Sequence, residues 1–199
     1  MEEQPSSAGQ ELATAADPTS DVEDWLVDLL DRVIGWLQFA ESKNIGIVGL
    51  NSTFLGLLVV ILATGPSVPI LARVGLAVCV LTLMISLPLA IASLLPATDL
   101  ERYRTEERAP PGPEDNLIFY GHLARYEPRE LVRAVACHYA QVTSDEVAVS
   151  KLALDLAEQI VTNARITVRK LRLYRSAVLL FASGILIAAA AMTLAAFVR

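Results

Sequence analysis

Apolar residues recur at Val22, Leu26, Leu29, Val33, Trp36, Leu37 and Ala40, while Glu23, Asp24, Asp28, Asp31 and Gln38 fall on the opposite side. Spacing of three and four predicts an amphipathic helix over residues 21–44. Ser20-Asp21-Val22-Glu23 has capping-box order, with the Ser hydroxyl satisfying one free amide and the Glu reaching back, so the helix is predicted to begin at Asp21. The polar face is acidic, which favours packing against protein over insertion into anionic lipid. From Ile45 to Thr64 the pattern turns apolar all round and predicts a membrane span over 45–64. Nothing interrupts the passage from one pattern to the other, so a single helix from Asp21 to Thr64, about 65 Å long, is expected. Residues 1–20 show no apolar period and are expected to form a disordered acidic tail.

Gly65-Pro66-Ser67-Val68-Pro69 reads as a tight turn, and Ile70–Leu95 as a second span ended by Pro96. Arg73 can snorkel to the nearer interface, and Pro88 deprives the Met84 carbonyl of its helical donor, which predicts a kink. Residues 97–175 turn polar and predict a small helical domain facing water. After the linker Ala109-Pro110-Pro111-Gly112-Pro113, Asn116–Tyr126 and Arg129–Gln141 read as short helices parted at Pro128. A second capping box at Thr143-Ser144-Asp145-Glu146 then opens a seam through Val147, Ser150, Leu154, Ala157, Val161, Ala164, Val168 and Leu171. That helix is expected to continue through a third span, 176–198, as one rod from Asp145 to Val198. The predicted fold class is therefore an all-α membrane protein with three transmembrane helices and long helical cytoplasmic extensions.

Charge sharpens this. Residues 44–72, 74–98 and 176–198 carry no formal charge over 29, 25 and 23 positions, each enough to cross a bilayer. Only 19% of the chain is charged, and 54% is hydrophobic, where a soluble domain has about 25% charged residues. Residues 1–41 hold ten acids and one base, so the tail is no partner for nucleic acid. The same acidity lacks the basic start of a secretory signal, so the first span is expected to be retained. Twelve of the sixteen Lys and Arg lie in 97–175. The positive-inside rule then puts the N-terminus and central domain in the cytoplasm and the C-terminus outside.

Little of this sequence offers catalysis. His122 and His138 are its only histidines, Cys79 and Cys137 fit neither a disulfide framework nor a metal site, and no phosphate loop is present. The reading is a non-enzyme without metal or cofactor. Two clusters are chemically denser. Phe119, Tyr120 and His122 lie close to Arg125, and Arg129 and Arg133 share a helical face, so aromatics for a base and Arg for a phosphate are at hand. Core aromatics beside a solvated Arg stripe are the alternative. Arg165, Arg169, Lys170, Arg172 and Arg175 precede the third span, either as an anchor to anionic headgroups or as phosphate ligands. Within the spans, Gly46, Gly49, Asn51 and Gly56 crowd the first, and Ala177, Gly184, Ala188, Ala191 and Ala195 line the third. Such stripes serve packing within one chain or between subunits. Asn51 in mid-span requires a partner or water.

The stretches Trp36-Leu37-Gln38-Phe39-Ala40-Glu41-Ser42-Lys43-Asn44, Asn116-Leu117-Ile118-Phe119-Tyr120-Gly121-His122-Leu123, Asp155-Leu156-Ala157-Glu158-Gln159-Ile160 and Arg169-Lys170-Leu171 resemble the transmembrane effector domain of Pycsar antiphage systems. The likeness covers residues 21–199. It implies a bacterial inner-membrane effector, working as a homo-oligomer, whose partner pyrimidine nucleotide cyclase makes cyclic UMP or cyclic CMP during infection. The effector would then impair the membrane and cause abortive infection. Candidate ligand-binding residues are Phe119, Tyr120, His122, Arg125, Arg129, Arg133, Arg169 and Lys170. The rival is a constitutive membrane scaffold or assembly subunit with no nucleotide ligand.

Overall fold

The structure, a computed structural model, describes residues 18–65, 68–95, 109–140 and 149–198. Among these, 85% are helical and none lies in a strand. The helices are α1 (Pro18–Thr64), α2 (Ile70–Leu94), α3 (Tyr120–Leu123), α4 (Pro128–His138) and α5 (Lys151–Phe197). At 47 residues each, α1 and α5 are about 70 Å long. The expected continuity across residues 44 and 45 is present.

Four expectations about helix limits need correction. α1 begins at Pro18 and not at Asp21, so Ser20 is inside the helix. Proline in a first turn loses no donor the helix would have used, and Asp21 sits where the positive helix end favours an anion. The remainder of the expected tail lies outside the described residues. The Asn116–Tyr126 helix shrinks to the single turn of α3, because the Asn116 side chain bends its own backbone by accepting the Ile118 N–H (2.9 Å). α4 starts at Pro128 itself, the Glu130 carboxylate accepting the Glu127 N–H (3.1 Å), and ends at His138. The capping box at 143–146 lies outside the described residues. Val149 and Ser150 are not helical, however, so no rod runs unbroken from Asp145. Ser150 caps α5 by accepting the Ala153 N–H (3.0 Å).

The chain divides into two units, one holding residues up to Arg32 with Ala109–Val161, the other Val33–Arg108 with Thr162–Arg199. The first buries Val22, Leu26 and Leu29 of α1, Leu123 of α3, Leu131, Val132 and Val135 of α4, and Ile160 of α5. Leu26, Leu123 and Leu131 have no exposed surface, and each such burial contributes about 1.5–3 kcal/mol. The buried stripe of α5 runs through Ala153, Ala157, Ile160 and Ala164, while the expected seam residues Leu154, Val168 and Leu171 are half-buried. Small side chains let the helix approach closely, and the larger ones close its flanks.

The second unit contains the three apolar segments, each in a helix long and apolar enough to cross a membrane. Ile45, Leu50, Leu57, Leu81, Met84 and Leu186 among others point outward, as lipid-facing residues do. Inside, Ala177, Gly184, Ala188 and Ala195 are buried. A Cβ at Gly184 would collide with the Thr82 hydroxyl, and one at Gly75 with the Ala191 methyl. The small-residue stripe is therefore used within the chain, drawing α2 and α5 together. Ile47, Ala90 and Ala177 form one apolar cluster, and Leu58, Leu76, Cys79, Leu83 and Ala188 another. Trp36 is not on the packed face as expected. The stripe passes from Val33 through Leu37 to Ala40, leaving Trp36 37% exposed, edge-on to Phe39 with Lys43 5.2 Å above that ring. Aromatics and Lys in this arrangement suit the headgroup level.

Candidate functional site

Asp115 organises the polar part of the first unit. Its side chain is 7% exposed, and it accepts the Gly112 N–H (3.0 Å) and an Arg125 guanidinium N–H (3.3 Å). The Tyr126 hydroxyl also bonds to it. Burial first, and then the Asp115 charge and hydrogen bond, push the Tyr126 phenol above its ordinary pKa of about 10. The proline-rich stretch that ends at Pro113 is thus clamped to the segment after α3. Arg125, expected to meet a ligand phosphate, is engaged here by a carboxylate.

Next to this hub lies an aromatic cluster. The Phe119 and Tyr120 rings are 4.5 Å apart, and His122 meets Phe119 edge-on at 5.4 Å. A Cβ at Gly121 would press into the Phe119 ring, so glycine is what lets the ring fold back over α3. His122 Nδ1 lies 3.6 Å from Asp115 but accepts the Asn116 N–H at 2.8 Å. The Asn116 N–H thus takes the Nδ1 lone pair. Phe119 stays 40% exposed. The sequence-predicted Phe119, Tyr120, His122 and Arg125 therefore come together, within one short segment.

Arg129 and Arg133 lie on the exposed face of α4, opposite Leu131, Val132, Val135 and Ala136. Arg169 and Lys170 belong to the other unit. There Lys170, with a side chain only 8% exposed, donates to Glu41 at 2.7 Å. Arg165 is likewise buried.

Sequence reasoning passed over a cleft in the first unit. Trp25 stacks on Tyr139 with ring centroids 4.8 Å apart and planes 22° off parallel, and beside them Asp28, Arg32, Leu117 and Ile118 enclose about 30 Å³. A signal was present: Trp25 lies off the apolar stripe of α1, on a helix otherwise acidic there, and Arg32 follows two turns later. Stacked aromatics with an Arg at their edge can take a planar ring and an anion. Among the described residues no group of three His, Cys, Asp or Glu is placed to hold a metal.

Compared with known proteins, residues 25–197 match the family model of the Pycsar effector protein domain. No curated protein and no solved structure matches.

Proposed function

The chain belongs to the Pycsar effector family, and from that premise we propose that it is a membrane effector answering a cyclic pyrimidine mononucleotide, cyclic UMP or cyclic CMP. A partner pyrimidine nucleotide cyclase supplies the signal, and the effector, as a homo-oligomer, then impairs the bacterial inner membrane. It acts by changing its packing and catalyses nothing. The base distribution supports an orientation with the N-terminus and the first unit in the cytoplasm and the C-terminus outside.

One observation carries the reading: α1 and α5 each belong to both units. The helix that brings Trp25 and Arg32 to the cleft continues as a membrane-spanning helix. A ligand shifts a protein only by binding one state better than another. The cleft as it stands has room for about one water, so a pyrimidine ring enters only by parting Trp25 from Tyr139. That parting is the differential term. Base stacking is worth about 1–3 kcal/mol, and one charge-assisted bond from Arg32 to the single phosphodiester charge about 1.5–3 kcal/mol. Phe119, Tyr120, His122, Arg129 and Arg133 form a second place for the same chemistry, with the Arg165, Arg169 and Lys170 set a third.

Titrating the full chain in detergent or vesicles with cyclic UMP, cyclic CMP and cyclic AMP tests this. The pyrimidine nucleotides should bind, and Trp25→Ala or Arg32→Ala should weaken them about tenfold or more. Parent-like binding in both variants, with loss in Phe119→Ala or Arg129→Ala, would move the site to α3 and α4. No binding of either pyrimidine nucleotide would end the proposal.

A further inference from the structure

Two asparagines of α1 are buried with polar atoms left unpaired. Asn44 and Asn51 have no exposed surface. Both polar side-chain atoms of Asn44 lack a partner, and so does Oδ1 of Asn51, whose Nδ2 donates to the Ile47 carbonyl of its own helix (3.0 Å). Buried polar atoms are nearly always paired, with protein or with water.

Their level in the bundle follows from the packing. Ile47, Ala90 and Ala177 form one cluster, and Leu58 packs in another with Leu83 and Ala188, so α1 and α5 run parallel and α2 antiparallel. One turn before Ile47 lies Asn44, at the level of Ser93. One turn after it lies Asn51, at the level of Ser86. Both serines are buried, and their hydroxyl protons are spent on carbonyls, Ser86 on Ala177 (2.8 Å) and Ser93 on Ala90. At each level α1 thus contributes an Asn and α2 a Ser. The two levels are separated by the apolar Ile47 layer and are about 10 Å apart, seven residues of helix rise. Glu41 and Lys170 are paired one turn before Asn44 (2.7 Å). Beyond Asn51, the edge-on rings of Phe54 and Phe181 (5.4 Å) close the interior.

From this arrangement we infer that the core of the three-helix bundle is a cation-conducting path that hydrates on opening: Asn44 with Ser93 and Asn51 with Ser86 are its two polar stations, and the Ile47 layer and the Phe54–Phe181 layer, continued by Leu58, Leu76, Cys79, Leu83 and Ala188, are its gates. At the inner station one N–H of Asn51 and the Ser86 hydroxyl proton are spent on carbonyls, and Asn51 Oδ1 is left as a buried, unpaired acceptor. That oxygen suits a water or a monovalent cation. Apolar constrictions between polar stations gate by excluding water, and the unpaired amides favour any state that lets water in. The inference rests on the reading of the chain as a membrane-impairing effector and adds the route by which ions cross.

The full chain in phosphatidylethanolamine and phosphatidylglycerol vesicles loaded with KCl and carboxyfluorescein tests it. Addition of cyclic UMP or cyclic CMP should release K⁺ faster than Cl⁻ and retain the dye. Asn51→Leu should slow K⁺ release at least tenfold while helicity and nucleotide binding stay at parent values. Ile47→Ser, which polarises the gate, should release K⁺ without nucleotide, a gain that misfolding does not produce with the dye retained. Parent-like K⁺ release in Asn51→Leu, or a tight Ile47→Ser, overturns the path. Dye leaving together with K⁺ in the parent also overturns it but leaves the effector reading standing. Absence of nucleotide binding and of all release would overturn both.

Discussion

Replacing Asp115 with alanine removes the centre of the first unit's polar network, and the structure sets the size of the effect. The buried Tyr126 hydroxyl loses its acceptor, which costs about 1–3 kcal/mol. The half-buried Gly112 N–H loses a charge-assisted partner, about 1 kcal/mol once water access is allowed for. Arg125 is more than a third exposed, so its loss of the carboxylate contributes at most about 1 kcal/mol. The total is about 2–5 kcal/mol. Hydrogen exchange of the Leu131 and Val135 amides reads this directly, as a fall in protection of about 30- to 4000-fold, at about 1.4 kcal/mol per tenfold. Asp115→Asn keeps an acceptor and the shape, and should fall between the parent and Asp115→Ala. Its Tyr126 phenol should titrate lower than the parent's while staying above the ordinary value, because burial is the larger cause. The raised pKa means the folded state holds that proton more tightly than the unfolded chain. The stability it contributes is whole below pH 10 or so and is lost as pH rises through the folded value. Less than threefold loss of protection in Asp115→Ala, or a Tyr126 titration unmoved in Asp115→Asn, would refute the network.

Other expectations follow from particular contacts. Gly184→Val forces a side chain against Thr82 and should destabilise the bundle by about 1–3 kcal/mol, seen as loss of resistance to unfolding in detergent, whereas the outward-facing Gly49→Ala should not. Glu41→Gln leaves the buried Lys170 ammonium uncompensated and should destabilise more than Lys170→Met, which removes the charge; the reverse order in the same assay would show that Lys170 is solvated. A periplasm-specific reporter after Arg199 should be active and one at Pro111 silent, and the opposite pattern would invert the orientation.

Elements whose signal is periodic and long were legible in the chain alone. The three uncharged segments, the uninterrupted helix through residues 44 and 45, and the small-residue stripe of α5 each follow from local composition, because lipid demands about 20 apolar residues and a helix repeats its face every 3.6. Sequence pattern also placed Asn51 where a partner or water was needed, and brought Phe119, Tyr120, His122 and Arg125 into one segment. The partnership of those residues was not legible. Whether Arg125 is free or held depends on Asp115, ten positions away, which carries no mark in a pattern of apolar spacing. Short-range competition likewise decided the extent of α3, where one Asn side chain outweighed helix propensity over the preceding residues. The Trp25–Tyr139 cleft joins residues more than a hundred positions apart, and the levels of Asn44 with Ser93 and Asn51 with Ser86 exist only once α2 is set antiparallel to α1 in register at Ile47 and Ala90. Local pattern determines which faces must be buried; which groups then meet inside is decided by the packing of one helix on another, and so by the tertiary structure alone.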